Sequence, residues 1–250
     1  AHLLVSKSGL HAWHAHPRLN PHYVEEERDE FDFGQAAHDL LLEGGTARIC
    51  VIEPENYRSA PTKKDQEGAI PKGWTNNAIR AARDTARANG LVPILPGQNA
   101  RLRTMVEVAQ RYVESSELAG LFKNGRAEQK LHWQVGDTHC RARLDWLTAD
   151  NGLVVDYKSC RSAKPESFVG MAIGYGYAMQ EAFYRRGVKA VHGREPRFVF
   201  LLQEKEPPYA CSLVAFDPAM QEIGDRQAQY ALALWQHAMQ TGQWHGYPRR

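Results

Sequence analysis

Cysteine is scarce in this 250-residue sequence, and the four present, Cys50, Cys140, Cys160 and Cys211, never stand at C-x-x-C spacing. Scattered thiols argue against a disulfide framework and against a zinc or iron–sulfur site built on clustered cysteines, so they are read as reduced and no iron–sulfur cluster is expected. No run approaches the ~20 apolar residues of a membrane span. Residues 1–16 lack the apolar stretch of a signal peptide, and a start at Ala1-His2 without methionine is read as a cloning remnant. Together these absences give the expectation of a cytoplasmic protein with no membrane partner. A strong charge of one sign is also missing, since 31 Lys and Arg face 29 Asp and Glu for a net +2 at pH 7. That balance permits a nucleic-acid partner without requiring one, because a locally basic groove needs no basic average. Repeats, low-complexity runs and a clear linker are absent as well. With 43% hydrophobic residues available for a core, a single domain over 1–250 is expected.

The patterning that is present divides the chain near residue 96. Ser6 or Ser8 can cap a short helical segment ending at Pro17, and Phe31–Glu43 places Phe33, Ala36, Ala37, Leu40 and Leu41 at helical spacing before Gly44-Gly45. Ala47–Ile52 suits a short strand, and polar, aperiodic Pro54–Gly73 suits a surface loop. Asn76–Asn89 reads as a helix, and Gly97–Leu121 as a longer one with Leu102, Met105, Val106, Ala109, Val113 and Leu118 near period 3.6. Residues 1–95 thus form a mainly helical N-terminal part, and about 97–242 a core. Alternation begins at Glu128. Strands are expected over Glu128–Val135, Thr138–Leu147 and Leu153–Lys158, joined at Gly136-Asp137 and Asn151-Gly152 as an antiparallel meander. A helix over Phe168–Arg186 closed by Gly187, strands over Arg197–Gln203 and Cys211–Phe216, and a helix opened by Asp217-Pro218 and ending near Met239 complete the order.

Chemistry concentrates where two of these strands meet. Asp145 lies on one, and Asp156-Tyr157-Lys158 on the next, across the Asn-Gly turn. Antiparallel neighbours run ~4.8 Å apart, so the two aspartates can adjoin. Residues two apart share a face, so Asp156 and Lys158 face one site while Tyr157 points away and offers its carbonyl. Carboxylate oxygens suit Mg²⁺ or Mn²⁺, and a lysine beside them can orient water or stabilise transition-state charge. An acidic residue two before a lysine also arises by chance, as Glu128-Gln129-Lys130 illustrates. A solvated salt bridge at a strand end is the competing reading, and spacing alone leaves both open.

Several segments resemble the exonuclease VIII (RecE-like) recombination nucleases of phages and prophages, a branch of the PD-(D/E)xK superfamily. They are Ser6-Lys7-Ser8-Gly9-Leu10; the run from Phe33-Gly34 through His38 to Glu43; Ala127-Glu128; Cys140 to Asp145-Trp146; Val154-Val155-Asp156-Tyr157-Lys158-Ser159; and Tyr177 through Gln180 to Tyr184. They follow the family's order and span most of the chain. Leu144 stands where the family often has proline and Ser159 where it often has threonine; neither change removes a metal ligand. The resemblance implies a restriction-endonuclease-like α/β fold, a mixed central sheet flanked by helices with an N-terminal helical extension. It implies His38, Asp145, Asp156 and the Tyr157 carbonyl as metal ligands, Lys158 as catalytic lysine, and Glu128 as ligand to a second metal or positioner of water. Gln180 and Tyr184 match the family's Gln-x-x-x-Tyr, which reaches toward the substrate phosphate. The implied cofactor is Mg²⁺, with Mn²⁺ as substitute. The implied substrate is linear double-stranded DNA, degraded 5′ to 3′ to leave a 3′ strand for a RecT-like annealing protein. A ring-like homo-oligomer in the cytoplasm of a bacterial host is implied too.

Other basic and aromatic residues carry weaker signals. Arg141 and Arg143 share a strand face, which period two makes the face of Asp145; they can grip phosphates or pair with nearby carboxylates. Arg161 and Lys164 are candidate DNA contacts, whereas the Arg80–Arg87 run reads as a solvated helix face. Trp13, Trp74, Trp133 and Trp146 suit packing, with Trp74 the one in a loop-like setting. Two competitors remain: an iron–sulfur nuclease, which the scattered cysteines disfavour, and a non-catalytic DNA-binding protein on a nuclease fold.

Overall fold

The structure, a computed structural model, describes residues 1–24, 29–44, 48–61 and 67–247. Ala47 of the expected first strand and residues 62–66 of the expected loop lie outside the described residues. The chain divides into two compact units, one of Ala1–Glu26 with Gly120–Arg250, the other of Glu27–Ala119. No helix among the described residues is long and apolar enough to cross a membrane.

The N-terminal segment makes two short helices, α1 (His2–Ser6) and α2 (Gly9–His14), where the sequence suggested one. Ser8 divides them: extended, it turns its hydroxyl back to accept from the His11 N–H, as an N-cap does. The second unit follows with α3 (Asp29–Leu42), β1 (Ile49–Val51), α4 (Asn77–Ala88), β2 (Val92–Ile94) and α5 (Pro96–Glu114). Ala36, Ala37 and Leu41 bury one face of α3, and Leu102, Met105, Val106, Ala109 and Val113 one face of α5. The sequence placed α5 with the core, but it groups with the elements before it. Strand β2 was not among the expected strands; Pro93 sits at its centre, where proline cannot complete a ladder. It survives as half of a two-stranded parallel sheet with β1. In α4, Arg80 is exposed as expected, but the solvated face is corrected for Arg83 and Arg87, which are largely buried, approach Asp84 at 2.9 and 3.8 Å, and in the case of Arg83 lie over the Trp74 ring. Trp74 packs on the Ile52–Ile79–Ala86 cluster.

The first unit holds a five-stranded mixed sheet in the order β3 (Gly125–Val135), β4 (Thr138–Thr148), β5 (Leu153–Cys160), β6 (Arg197–Glu204) and β7 (Cys211–Val214). Strands β3, β4 and β5 form the expected antiparallel meander, β5 and β6 run parallel, and β7 returns antiparallel. The crossover from β5 to β6 carries two helices, α6 (Pro165–Tyr175) and α7 (Tyr177–His192), and α8 (Pro218–Thr241) closes the fold. Asp217 caps α8 as expected, accepting from the Met220 N–H at 2.8 Å. The mixed sheet with its flanking helices is the restriction-endonuclease-like α/β arrangement. Its main core joins Leu131, Leu144, Leu147 and Val154 to Phe168, Phe198 and Phe200.

The single helix expected over Phe168–Arg186 is corrected to two. Gly176 has φ 71°, a left-handed conformation that ends α6. Gly187, expected to stop the helix, lies inside α7. A Cβ there would come within 2.8 Å of the Trp133 indole, so its missing side chain makes room for that ring. Gly224 does the same for α8, where a Cβ would lie 2.2 Å from the Ala178 carbonyl oxygen. Helix α7 is thereby seated closely against both sheet and α8, which fixes the side chains it offers to the sheet.

A partly buried ionic network joins α7 to α8 beside that seat. Arg185 approaches Glu181 at 3.4 Å, Glu195 at 2.8 Å and Asp225 at 3.3 Å, and Gln221 donates to Glu181 at 2.9 Å. Burial pushes the Glu181 carboxyl up to about 7 in spite of Arg185. With a folded-state value above the unfolded one of about 4.5, its contribution is fully present below pH 4.5 and is lost as pH rises through 7. Glu181→Gln, which mimics the protonated form, is therefore expected to stabilise the protein at pH 8 by up to about 3 kcal/mol and to be neutral near pH 4.5. Urea unfolding of both proteins at the two pH values checks this; equal destabilisation at both would contradict it.

Candidate active site

The ladder between β4 and β5 is short, pairing only Trp146 with Val155 and Leu147 with Val154. Beyond Trp146 the strands part, and Asp145 fills the gap. Its Oδ2 accepts from the Tyr157 N–H at 2.8 Å, the bond a paired strand would otherwise supply. In a strand the N–H and C=O of one residue leave on the same side, so the Tyr157 carbonyl faces this gap too. The Tyr157 side chain leaves the other way and donates to Gln203 at 2.7 Å.

Strict alternation fails at this point. Leu144 and Leu147 enter the same core although an odd spacing should oppose them. On the partner strand, Glu128 has φ 50°, a left-handed conformation that costs a β-strand glutamate about 1–3 kcal/mol. The pairs on either side, Ala127 with Trp146 and Gln129 with Leu144, stay in register, so Glu128 lies opposite Asp145. Carboxylate oxygens of the two come within 4.8 Å of each other. The distortion thus turns two acidic side chains toward one point, the kind of backbone strain that collects at functional sites.

Asp156, fully buried, faces α7. One of its oxygens pairs with the Lys158 ammonium and the other accepts from Gln180 at 3.1 Å. The Lys158 Nζ also sits 4.9 Å from the centre of the Tyr177 ring. Burial pulls the Lys158 pKa down, but Asp156 and Asp145 outweigh it and hold the ammonium above the usual lysine value. Tyr184 lies one turn beyond Gln180 on α7. Burial raises its phenol, its hydrogen bond with Gln180 lowers it, and Asp156 and Asp145 raise it further, so the hydroxyl keeps its proton. Tyr177, Gln180 and Tyr184 recur at three and four residues along α7, one helix face. Sequence reasoning missed Tyr177; that spacing was the available signal.

The structure thus brings together six of the residues singled out from the sequence: Glu128, Asp145, Asp156, Lys158, Gln180 and Tyr184. His38 sits half-buried on α3 in the other unit. Arg141 and Arg143 are exposed on one face of β4 as expected, and because alternation breaks beyond Leu144, it is the Glu128 carboxylate rather than period two that links this face to Asp145. Arg143 instead reaches Glu128 at 2.9 Å, the carboxylate-pairing alternative. Arg161 and Lys164 are exposed, the latter 3.9 Å from Glu166. Trp133 and Trp146 pack against Phe183 and Phe122. All four cysteines are free thiols.

The donor set fits a hard divalent cation. Two carboxylates within 4.8 Å of one another repel, and a cation between them converts that repulsion into attraction. Every candidate ligand atom on this sheet is oxygen, as Mg²⁺ and Mn²⁺ prefer.

Comparison with known proteins agrees with the fold. A family model described as "PDDEXK-like domain of unknown function (DUF3799)" matches residues 11–248. No curated protein matches the chain. Among solved structures, a protein from Eubacterium rectale named "Putative exonuclease" superposes with a TM-score of 0.57 at 11% identity, covering 92% of this chain and 75% of its own. That likeness is one of fold. Another, named SSO0001, has a TM-score of 0.30 at 16% identity over 85% of this chain and 88% of its own, and carries no argument.

Proposed function

The chain belongs to the PDDEXK-like domain family DUF3799, and from that premise we propose that it is a Mg²⁺-dependent DNA exonuclease with Asp145, Asp156 and Lys158 at its chemical centre. One observation carries the reading. The Asp145 carboxylate occupies the parting between β4 and β5 beside the buried Asp156–Lys158 pair. A solvated salt bridge at a strand end needs neither the burial nor the broken ladder.

Asp145, Asp156 and the Tyr157 carbonyl would hold the cation, with His38 completing the shell and Glu128 serving a second ion or the water. When bound, Mg²⁺, or Mn²⁺ in its place, supplies Lewis-acid polarisation of the phosphate and a more acidic water. Lys158 donates to the attacking water or to a phosphate oxygen, and Asp156 keeps it charged and aimed. Gln180 and the protonated Tyr184 hydroxyl offer neutral donors to the same phosphate, held in place by the closely packed α7. The Tyr177 ring, 4.9 Å from the ammonium, adds a cation–π contact to the pairing with Asp156.

The RecE-like resemblance supports a linear duplex as substrate, cut from its 5′ end to leave a 3′ strand for a RecT-like annealing protein. It also supports a ring-like oligomer working in a bacterial cytoplasm. Linear duplex labelled at either the 5′ or the 3′ end, incubated with Mg²⁺, tests the reading. Release of the 5′ label as the first short product is expected, with none from EDTA-treated samples. First release of the 3′ label would overturn the polarity. Cleavage of closed circular DNA would overturn the exonuclease assignment, and no cleavage of any DNA would overturn the enzyme.

A further inference from the structure

The β3–β4 hairpin extends well past the short β4–β5 ladder, and its two faces differ sharply. Leu131, Cys140, Ala142 and Leu144 are buried on one. The other exposes Lys130, His132 and Gln134 on β3 and His139, Arg141 and Arg143 on β4. These six form three cross-strand pairs, Lys130 with Arg143, His132 with Arg141, and Gln134 with His139. Lys130 and Arg143 set two cations directly opposite each other, an arrangement that costs a sheet stability unless an anion lies over it. Glu128 engages Arg143 at the inner end, and exposed Asp137 stands at the tip; no carboxylate interrupts the three pairs.

The stripe has a direction. At its inner end, Glu128 and Arg143 adjoin the carboxylate cluster of the candidate active site. At the hairpin tip it meets a cleft of about 630 Å³ with His16, Arg18 and His139 in its walls beside Asp137 and Trp235. Arg141 stands next but one to His139 on the same exposed face of β4, so the stripe continues toward this opening. From Asp145 to His139 is six strand residues, roughly 20 Å. A duplex rises about 3.4 Å per base pair, so that length matches about six base pairs of backbone.

The geometry points to this face as a track for the phosphate backbone of double-stranded DNA, leading the duplex to the carboxylates. The inference deepens the nuclease reading above, from which the polyanion comes. A duplex suits the face better than a single strand. Bases of a single strand need aromatic platforms, whereas no Phe, Tyr or Trp stands among the six outward positions and Trp133 packs inward against Phe183. Cations and imidazoles alone serve backbone contact.

The test uses fluorescence anisotropy with a labelled linear duplex and a single strand of the same length, in Ca²⁺, on the Lys158→Ala background so that binding is read without cutting. Adding Arg18→Gln, Lys130→Gln and Arg141→Gln should weaken duplex binding at least tenfold and lower the salt slope of log Kd by about 2 to 3, near 0.9 per lost phosphate contact. Melting should be unchanged or improved, because like-charge repulsion is relieved. Should the triple variant not fold, Lys130→Gln alone is expected to lower the slope by about 0.9. Unchanged affinity and slope would overturn the track, and a larger loss on the single strand would overturn the duplex assignment. Cutting by the wild-type protein separates the two readings. Wild-type cleavage with undiminished duplex binding by the triple variant sinks the track alone. Absent cleavage with binding lost in the triple variant sinks the nuclease and keeps the track.

Discussion

Replacing Lys158 with alanine should lower the rate of duplex hydrolysis roughly 100- to 1,000-fold, the loss that follows removal of one preorganised transition-state donor. The ammonium is paired with a buried carboxylate, and Asp156 and Asp145 hold its pKa above the usual lysine value. A protonated lysine in that setting is better suited to stabilising charge than to removing a proton. The Tyr177 ring contact and the pairing with Asp156 hold the ammonium in place, so a water entering the space left by the truncated side chain would lack its charge. The same substitution leaves a fully buried carboxylate without its ammonium. Removing one partner of a buried pair is strongly destabilising, about 3–5 kcal/mol in the extreme, less here because Lys158 is partly exposed. A lower melting temperature in EDTA is thus expected, with much of the loss recovered in Mg²⁺ if a cation takes over the compensation of Asp156. Single-turnover assays with end-labelled duplex measure the rate, and calorimetry measures the melting. A rate within a few-fold of wild type would remove Lys158 from the mechanism.

Much of the centre was legible because it obeys simple periodicities. Asp156 and Lys158 share a face because strands repeat every two residues, and the Asn151-Gly152 turn brought the Asp145 strand alongside. What the pattern hid is where the period fails. Nothing in Leu144-Asp145-Trp146-Leu147 announces that alternation breaks between two core leucines, and nothing local to Glu128 announces φ 50°. Both distortions depend on the opposing strand, so they become visible only once strands are paired. The glycines of α6 and α7 show a related ambiguity. Gly187 and Gly176 look alike in sequence, yet one clears space for Trp133 inside a helix and the other ends one. Helix ends are decided by local backbone conformation, close approaches by a distant side chain, and one letter stands for both. Pro93 hid β2 for the opposite reason, a local rule overridden because β2 pairs in a sheet of only two strands. His38 was marked by resemblance alone, since a helix histidine has no local signature of metal binding.

Asp156→Asn should reduce hydrolysis by about a thousandfold or more, some 4 kcal/mol of transition-state stabilisation, while keeping the shape of the side chain. The amide can still fill the pocket beside Gln180, so the fold should persist, but two contributions disappear. The carboxylate no longer attracts a cation to the oxygens of Asp145 and Tyr157, and it no longer anchors the Lys158 ammonium. The first loss is readable without turnover. A ligand that binds only the folded state stabilises it by RT ln(1 + [L]/Kd), about 2.7 kcal/mol at a hundredfold excess over Kd. Titrating Mg²⁺ should raise the melting temperature of the wild-type protein along that curve and leave Asp156→Asn nearly flat. His38→Ala belongs in the same titration. If the imidazole is a ligand, its curve should shift to higher Mg²⁺ concentration, and a wild-type curve would exclude it from the shell. A wild-type response from Asp156→Asn would be more damaging, because a cation that ignores the one fully buried carboxylate of the centre is not bound where hydrolysis requires it.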